Sequence, residues 1–307
     1  MDNVILTVRE LRKNFGKVEA LRGIDLDIPE GMCFGLLGPN GAGKTTTIEI
    51  MEGIQKPDNG SLLFRNQPIA WPNDRSYKQK IGIQFQQSAL PEFITVKETL
   101  NLFSSFYENS RPHEEIIRLC SLEDIINRDN RKLSGGQRQR MLLGLAIIPY
   151  PEIIFLDEPT TGLDPQSRRN FWDLIENIKA ENCTIILTTH YMDEAQILCD
   201  EVAIMDNGKI IERDTPEKLL TNHFDGALIH LPWDENFTRE TAHAMKEQFG
   251  NNEDVRITEE ELEIVTPYLD KTIKTLLSAD IVINNLNIHK PNLEDLFIKL
   301  TGSSLRT

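Results

Sequence analysis

The chain has 307 residues, of which 39% are hydrophobic, and its formal net charge is −15. This composition excludes an intrinsically disordered chain and is ample for a packed core, and the length predicts about two domains. The acidic balance argues against a nucleic-acid-binding protein, which would need a basic face, and against direct adsorption to anionic lipid.

No part of the sequence carries the roughly 18 consecutive apolar residues that a membrane-spanning helix needs. The chain opens with Met1, Asp2 and Asn3, without the basic and apolar regions of a secretory signal peptide. We therefore expect a protein that is made in the cytoplasm and stays there. Any work at a membrane would depend on a partner that holds it.

Short apolar runs alternate with helical patterns over residues 1 to about 215. Such runs are typical of strands buried on both faces of a sheet. The predicted strands are Val4–Val8, Met32–Leu37, Glu152–Leu156, Thr184–Thr189, Val202–Met205 and Lys209–Glu212, and the predicted helices are Thr45–Met51, Gly136–Ile148 and Pro165–Ala180. The turn Asp206-Asn207-Gly208 predicts a hairpin between the last two strands. The alternation predicts an α/β fold with a largely parallel sheet.

The pattern changes after Glu217, where strands and helices follow in the order β-α-β-β-α-β-α. The predicted elements are Gly226–Trp233, Thr238–Phe249, Val255–Thr258, Leu262–Thr266, Tyr268–Leu277, Ile281–Ile288 and Leu293–Leu300. We therefore expect a domain over 1–217 and a small α+β domain over 218–307, for which a ferredoxin-like fold is one candidate.

A phosphate-binding loop follows the strand Met32–Leu37. Gly38-Pro39-Asn40-Gly41-Ala42-Gly43-Lys44-Thr45 matches G-x-x-x-x-G-K-[ST] between a strand and a helix. Glycines let the backbone fold tightly with its N–H groups inward, and the helix N-terminus adds partial positive charge. We expect Lys44 to reach the β- and γ-phosphates of a nucleotide, Thr45 to ligate Mg²⁺, and Thr46 to donate to the phosphates. An accidental glycine-rich turn is the alternative.

Two adjacent carboxylates, Asp157 and Glu158, end the apolar strand Glu152–Leu156. Because successive strand residues point to opposite sides, we expect the two to have different tasks. One would hold Mg²⁺, directly or through water, and the other would lie beside an attacking water. Asp157 matches the metal-binding aspartate of a Walker B strand, which leaves Glu158 as general base or as the residue that positions the water. A solvated acidic pair is the alternative.

A second anion site is predicted where Leu133-Ser134-Gly135-Gly136-Gln137 opens a helix, formed by Ser134 and the amides of Gly135 and Gly136. One ATP needs only one cradle, so a second γ-phosphate site is best explained if it serves the ATP of another subunit. The motif resembles the signature sequence of ATP-binding cassette (ABC) ATPases, in which two cassettes pair head to tail and sandwich two nucleotides. A Ser-Gly helix cap is the alternative.

Two further motifs of that family match around the nucleotide. Phe15, followed closely by Val18, is placed like the aromatic residue that stacks on adenine, although the family more often has tyrosine there. Gln86 matches the glutamine of the Q-loop, with Phe85 where the family usually has proline. Gln84 and Gln87 also lie in this segment, and Gln86 is the residue we assign.

The last two motifs follow the acidic strand end. Asp164, in Thr161-Gly162-Leu163-Asp164, resembles the key carboxylate of the D-loop. His190, at the end of Thr184–Thr189, matches the switch histidine that contacts the γ-phosphate, although a lone histidine at a strand end is more often structural. We interpret the other five histidines as surface residues.

The resemblance covers residues 4 to about 215 and implies the fold and chemistry of the ABC family. The implied cassette has a mixed, largely parallel core sheet, a small antiparallel β part and a helical subdomain over about 86–145. The implied cofactors are ATP and Mg²⁺, with Thr45, Gln86 and Asp157 at the metal. The implied reaction is ATP hydrolysis, with catalytic roles for Glu158, His190 and Lys44 and with Ser134–Gln137 and Asp164 completing the nucleotide site.

The chain architecture favours a transporter subunit. About ninety residues separate Lys44 from Ser134, which leaves no room for the coiled-coil insertion of chromosome-maintenance relatives. Only one cassette is present, whereas soluble relatives that act in translation usually fuse two. The ending Asn292–Gly302 is similar to the close of bacterial drug- and antibiotic-resistance exporter ATPases of the ABC-2 type.

The resemblance therefore implies an ATPase subunit of an exporter of drugs or other amphipathic compounds. Its expected partners are a second cassette, identical or paralogous, and polytopic permease subunits that hold it at the inner face of the cell membrane; nucleic acid is not expected. The main alternative is a soluble ABC ATPase that acts on the ribosome or DNA, and another is a degenerate cassette that binds ATP as a clamp.

The segment Gln86–Tyr107 is apolar for a connecting region. Its apolar residues are Leu90, Pro91, Phe93, Ile94, Phe103 and Phe106. We expect them to form a groove that receives a helix of the membrane partner. An ordinary helical subdomain with its own core is the alternative.

Overall fold

The computed structural model describes residues 3–71, 74–85, 90–234, 237–246, 249, 253–278 and 285–302. The chain divides into two compact units, the first reaching Pro216 and the second spanning Glu217–Gly302. The division falls beside the boundary that the change of pattern after Glu217 predicts. Over the described part of the chain, no helix combines the length and the apolar character needed to cross a membrane.

The strands of the first unit form two sheets. In chain order they are β1 (Val4–Phe15), β2 (Val18–Pro29), β3 (Cys33–Leu37), β4 (Asn59–Phe64), β5 (Gln67–Pro68), β6 (Ile81–Gln84), β7 (Ile153–Asp157), β8 (Thr184–Thr189), β9 (Glu201–Asp206) and β10 (Lys209–Asp214). The central sheet has the order β10-β9-β3-β8-β7-β6, and the second sheet has the order β2-β1-β4-β5.

The central sheet is largely parallel. All its neighbouring strands run parallel except β9 and β10, which pair antiparallel through the turn at Asn207 and Gly208. Strands β3 and β8 are buried along their whole length. Two-sided burial explains why their sequences are near-continuous runs instead of alternating ones. The predicted mixed sheet is therefore confirmed.

The second sheet is antiparallel, and its first strand is longer than the sequence indicates. Alternation predicts a strand that stops at Val8, whereas β1 continues to Phe15. The register against β2 shifts between Val8 and Leu11, and Glu10 has a φ of 48°. A bulge of this kind interrupts the alternation of apolar and polar side chains without ending the strand. The alternation in the sequence therefore stops at Val8, although the strand continues.

The helices of the first unit are α1 (Lys44–Met51), α2 (Arg75–Lys78), α3 (Val96–Ser104), α4 (His113–Leu119), α5 (Gly135–Ala146), α6 (Pro165–Lys179) and α7 (Met192–Leu198). Helices α1, α5 and α6 begin at the phosphate-binding, signature and D-loop motifs. Helix α3 starts with a capping box of Thr95 and Glu98. The side chain of Asp164 caps α6, and Pro165 occupies its first position. Both devices satisfy N–H groups that the first turn leaves free.

The second unit is a four-stranded antiparallel sheet with helices. Its elements are α8 (Pro216–His223), β11 (Ala227–Pro232), α9 (Arg239–Met245), β12 (Asp254–Ile257), β13 (Glu261–Thr266), α10 (Leu269–Ser278), β14 (Asn287–His289) and α11 (Leu293–Thr301). The strand order is β12-β13-β11-β14. Each helical crossover therefore joins two strands that flank a third, which is the split arrangement of ferredoxin-like domains.

Some predictions for the second unit need correction. The helix predicted over Thr238–Phe249 is described from Arg239 to Met245, because Thr238 serves as its cap. The strand predicted over Ile281–Ile288 is described as Asn287–His289, and residues 281–284 lie outside the described residues. Of the five histidines expected at the surface, His243 is exposed. The half-buried ones, for which that expectation is wrong, are His113, His223, His230 and His289.

Candidate active site

The phosphate-binding loop connects β3 to α1, as its motif predicts. The buried Lys44 ammonium donates to the carbonyl oxygens of Gly38 and Pro39, at 2.7 and 3.1 Å. Burial lowers the pKa of Lys44, while the charges of Glu158 and Asp157 raise it. The structure therefore brings the loop lysine into the electrostatic field of the two carboxylates at the end of β7.

The loop is fixed by close approach of other backbone segments. A Cβ on Gly38 would lie 2.3 Å from the carbonyl oxygen of Met205, and one on Gly43 would lie 2.8 Å from that of Ala20. Gly43 also has a φ of 103°, which favours glycine. The remaining predicted residues of the loop lie between or just after these glycines: Asn40, Gly41 and Thr45 are exposed, Thr46 is half-buried and Ala42 is buried.

The two carboxylates after β7 have different settings. Thr188 of β8 donates its hydroxyl hydrogen to Asp157. Burial and the charge of Glu158 raise the pKa of Asp157, while the Thr188 hydrogen bond and Lys44 lower it. At Glu158 the φ is 46°, and its N–H donates to the carbonyl oxygen of Thr188 at 3.1 Å. The chain thus leaves the strand through a left-handed residue, a sparsely populated conformation that is common at functional sites.

Glu158 and His190 meet at one edge of the central sheet. His190 Nδ1 lies 3.2 Å from Glu158 Oε2, and the Thr161 hydroxyl donates to the same oxygen at 3.3 Å. The ring of His190 packs against that of Tyr191, with 4.2 Å between centroids. The carboxyl ends of parallel strands meet at one edge, which is where open α/β sheets bind ligands.

Sequence reasoning missed the threonines that support these groups. Thr188 belongs to no motif, and Thr161 was assigned no role although it opens the D-loop motif, yet both hydroxyls donate to a carboxylate of the acidic pair. The only signal available was position, because Thr188 lies two residues before His190 and Thr161 opens the segment that ends at Asp164.

Phe15 and Val18 close the hairpin between β1 and β2. They are register partners on either side of the turn, and their exposed fractions are 48% and 66%. Directly opposed residues of an antiparallel pair project from the same face. Two residues further along β2, the backbone of Ala20 lies against Gly43. An exposed aromatic ring is therefore carried on a strand that contacts the phosphate-binding loop.

The signature residues open α5 with a reciprocal cap. Ser134 Oγ accepts from the Gln137 N–H at 3.3 Å, and Gln137 Oε1 accepts from the Ser134 N–H at 3.1 Å. A Cβ on Gly136 would lie 3.0 Å from Ser167 Oγ. Ser134 and Gly135 themselves are exposed. The segment is thus a rigid helix start that presents its first residues to the surface.

Asp164 is hydrogen-bonded to Ser167, the residue that also lies against Gly136 of the signature. Its Oδ2 accepts from Ser167 Oγ at 2.6 Å, and its Oδ1 accepts from the N–H groups of Gln166 and Ser167. These hydrogen bonds, led by the Ser167 hydroxyl, lower the pKa of Asp164. The D-loop carboxylate and the signature therefore share Ser167 as a neighbour.

The glutamine assigned to the Q-loop, Gln86, lies outside the described residues. Its neighbour Gln84 is buried, and the Gln84 side chain donates to Gln139 Oε1. Gln84 therefore ties the end of β6 to α5, which is a structural role.

An apolar groove of about 540 Å³ lies between α1, α5 and the segment after β6. Of the six apolar residues expected to form it, Leu90 and Phe103 line it. Phe93 and Phe106 are exposed. The Phe106 ring lies 5.7 Å from that of the groove residue Phe103, and the Phe93 ring lies beneath the Arg131 guanidinium at 3.7 Å. A groove is therefore present, but most of its lining residues lie outside the segment Gln86–Tyr107, among them Ile54, Ile83 and Leu142.

The groove also contains an unexpected carboxyl group. Glu52, one residue after α1, is only 1% exposed. Its Oε1 accepts no hydrogen bond from any residue that the structure describes. Burial, with smaller contributions from Asp157 and Glu49, raises the pKa of Glu52 to about 8. Glu52 is therefore predominantly a neutral carboxylic acid at pH 7.

Comparison with known proteins places these features in a family. Residues 21–161 match the ABC transporter family. The chain is 34% identical to the Nod factor export ATP-binding protein I of Cupriavidus pinatubonensis, over 98% of this chain and 92% of that protein. It is 32% identical to the linearmycin resistance ATP-binding protein LnrL of Bacillus subtilis, over 98% of this chain and 100% of that protein.

A solved structure gives the same result for the first unit. The dimeric ATP-binding cassette MJ0796, in a post-hydrolysis state with ADP and phosphate, matches with a TM-score of 0.62 and 26% identity. The match covers 69% of this chain and 98% of that one. A single cassette fold therefore accounts for about two-thirds of the chain.

Proposed function

Since this chain belongs to the ABC transporter family, as an ATP-hydrolysing subunit of the exporter type, we propose that it drives export of drugs or other amphipathic compounds by partner membrane subunits. The observation that carries the ATPase part of the proposal is the group formed by Lys44, at the start of α1, with Asp157, Glu158 and His190 at the ends of β7 and β8. The export part rests on the relatives. The relatives named for export and resistance match along nearly the whole chain, including the second unit.

We expect Mg²⁺ to bind beside Asp157 and Thr45. Burial raises the pKa of the half-buried Asp157, so a nearby cation would stabilise its charged form. Carboxylate and hydroxyl oxygens are also the hard donors that Mg²⁺ prefers. When bound, the ion would neutralise charge on the β- and γ-phosphates. The proposal for Gln86 as a further ligand rests on the family resemblance alone.

We assign the catalytic work to Glu158, His190 and Lys44. His190 and Thr161 both contact Oε2 of Glu158, which fixes the orientation of the carboxylate. A carboxylate held in this way can orient or deprotonate the water that attacks in line. Lys44 would pair with the β- and γ-phosphates, and His190 would stabilise the charge that develops on the γ-phosphate.

We propose that adenine stacks on Phe15, beside Val18, while the phosphates lie in the loop Gly38–Thr46. Contact between Ala20 and Gly43 supports this, because it ties the hairpin that carries Phe15 to the loop. Phe15 is exposed, so its apolar ring is accessible to a nucleotide base. Stacking of a base on an aromatic ring contributes about 1–3 kcal/mol.

We propose that a second cassette completes each nucleotide site. Ser134, Gly135 and Gly136 would present helix N–H groups to the ATP of the partner, and Asp164 would lie at the interface beside them. The exposure of Ser134 and Gly135 supports this, as does the dimeric state named for MJ0796. The partner is either an identical chain or a paralogue.

The permease is proposed to insert a helix into the groove that Leu90 and Phe103 line. Its apolar walls, and the exposed Phe106 whose ring contacts that of Phe103, are what an amphipathic helix requires. The chain would then work on the cytoplasmic face of the membrane, held there by its partners.

A drug-susceptibility assay in the source cell tests the substrate class. Cells that carry Glu158→Gln in place of the native residue are expected to lose resistance to at least one amphipathic compound and to accumulate it. Unchanged susceptibility and accumulation across a broad panel would contradict the drug assignment, while a phosphate-release assay on the purified protein would report separately on ATP hydrolysis.

A further inference from the structure

A cluster of metal-binding side chains lies in the second unit, outside the nucleotide site. His230, His289 and Asp295 each offer a ligand atom, and these atoms lie within 4.8 Å of one another. His230 forms a second such group with Glu261 and Glu263. All five side chains are half-buried.

The sheet register explains why these residues converge. His230 of β11 lies directly opposite Glu263 of β13, and His289 of β14 lies opposite Leu228, two residues before His230. Residues with a spacing of two along a strand share a face, so both imidazoles project from one side of the sheet. Their rings stack with 5.1 Å between centroids and an angle of 4°.

The two ring nitrogens of His230 have different surroundings. Its Nδ1 lies 2.5 Å from Glu261 Oε1, and because an ionised carboxylate can only accept, Nδ1 is the donor. The other nitrogen, Nε2, is buried and has no hydrogen-bond partner among the residues that the structure describes. Metal-ligating histidines have this arrangement: one imidazole nitrogen donates to a carboxylate, and the lone pair of the other nitrogen is left for the metal.

His289 and Asp295 already have a spacing suited to a common ion. His289 Nε2 lies 3.0 Å from Asp295 Oδ2, and the Asn292 N–H donates to the same oxygen at 2.8 Å. Two donors about 2.0–2.2 Å from a tetrahedral Zn²⁺ are roughly 3.4 Å apart. The observed His289–Asp295 distance of 3.0 Å is close to that spacing.

Charge also favours a cation here. Three carboxylates, Glu261, Glu263 and Asp295, surround two imidazoles, and Arg256 is the guanidinium that acts on Glu263. A divalent ion would offset this excess of negative charge.

We propose that His230, His289 and Asp295 bind a divalent transition-metal ion, for which Zn²⁺ is the best match, with Glu261 orienting His230. Nitrogen and carboxylate ligands in this number suit Zn²⁺ better than Mg²⁺ or Ca²⁺, which take oxygen ligands. The ion links β14 and α11 to the central strand β11, so its role is to fasten the end of the second unit to its sheet. The site is independent of ATP hydrolysis.

The test is a Zn²⁺ titration of tag-free full-length protein, stripped with chelator, in the absence of nucleotide and Mg²⁺. Isothermal calorimetry is expected to give one Zn²⁺ per chain, and Co²⁺ is expected to give the visible absorption of a tetrahedral site. Zn²⁺ should also raise the Tm. His230→Ala and His289→Ala are expected to weaken binding at least about 100-fold, and Glu261→Gln about 10–100-fold.

The control is His243→Ala, which removes an exposed histidine of the same unit and should leave binding unchanged. Circular dichroism and phosphate release report whether each variant is folded, and His289→Gln supplies a milder change if an alanine variant does not fold. Absence of Zn²⁺ binding to the native chain, or equal binding by folded His230→Ala, would overturn the proposal.

Discussion

His190 Nδ1 lies 3.2 Å from Glu158 Oε2, across the ends of two neighbouring parallel strands. The register of β7 against β8 sets this relationship, because Asp157 pairs with Thr188 and the next residues of both strands emerge at the same edge. One pairing therefore brings together the proposed metal-binding carboxylate, the proposed base and the histidine.

Glu158→Gln is expected to lower kcat for ATP by about 10²–10⁴-fold, because an amide cannot accept the proton of the attacking water. ATP binding should persist, since the phosphate-binding loop is unchanged. The measurement is phosphate release, with nucleotide affinity determined in parallel. Glu176→Gln, an exposed change on α6, is the control, and near-native turnover by Glu158→Gln would exclude the assigned role.

His190→Ala is expected to reduce kcat by about 10²–10³-fold with a much smaller effect on the KM for ATP, as for loss of one donor to a developing charge. The substitution also removes the contact that orients Glu158 Oε2. Steady-state kinetics measures both effects, and His243→Ala serves as the histidine control. A rise in KM with unchanged kcat would mean that His190 acts only in binding.

Thr188→Val is expected to move the acid limb of the pH–rate profile to higher pH. The Thr188 hydroxyl lowers the pKa of Asp157, so its removal raises that pKa, and the carboxylate becomes protonated at a higher pH than in the native protein. More Mg²⁺ should then be needed below neutral pH. Activity at several pH values and Mg²⁺ concentrations checks this, with Thr184→Val, at the other end of β8, as the control.

The buried Glu52 is expected to make the first unit less stable as pH rises. Its pKa is raised from 4.5 to about 8, so between these values the folded state holds a proton that the unfolded state has lost. The free energy of unfolding should therefore fall through this window, by up to about 1.4 kcal/mol per pH unit, and level off above it.

Urea unfolding of the native chain and of Glu52→Gln at pH 5 and pH 8 measures this effect. The variant should lose that part of the pH dependence, because glutamine does not titrate, and should be the more stable of the two at pH 8. Glu123→Gln, an exposed change, should keep the native slope. The same slope in Glu52→Gln would show that other groups cause it.

Much of the cassette could be predicted from sequence because its strongest signals are local. The isoleucine-rich runs gave β7 and β8 to within a residue, and the loop Gly38–Thr45 lies where its motif requires. The hairpin turn at Asn207-Gly208 was equally readable, since both residues need a positive φ there. In each case the residues that define the feature are neighbours along the chain.

Features that depend on distant contacts could not be read in this way. Thr188 looks like an ordinary strand residue until the register places it against Asp157. Glu52 looks like a solvated helix end, and only the folded chain buries it, in a groove that residues of β6 and α5 also line. The stacking of His230 on His289 likewise depends on two paired strands that are nearly sixty residues apart in sequence.

The central claim is that this ATPase works on a membrane permease. The most direct measurement is affinity purification of tagged Glu158→Gln protein from detergent-solubilised membranes of its own cell, with ATP and Mg²⁺ present. We predict a polytopic membrane protein in stoichiometric amount, which should be lost when Phe103→Asp places a charge in the apolar groove. Recovery of the protein alone, or with ribosomal or DNA-processing partners, would contradict the transport assignment.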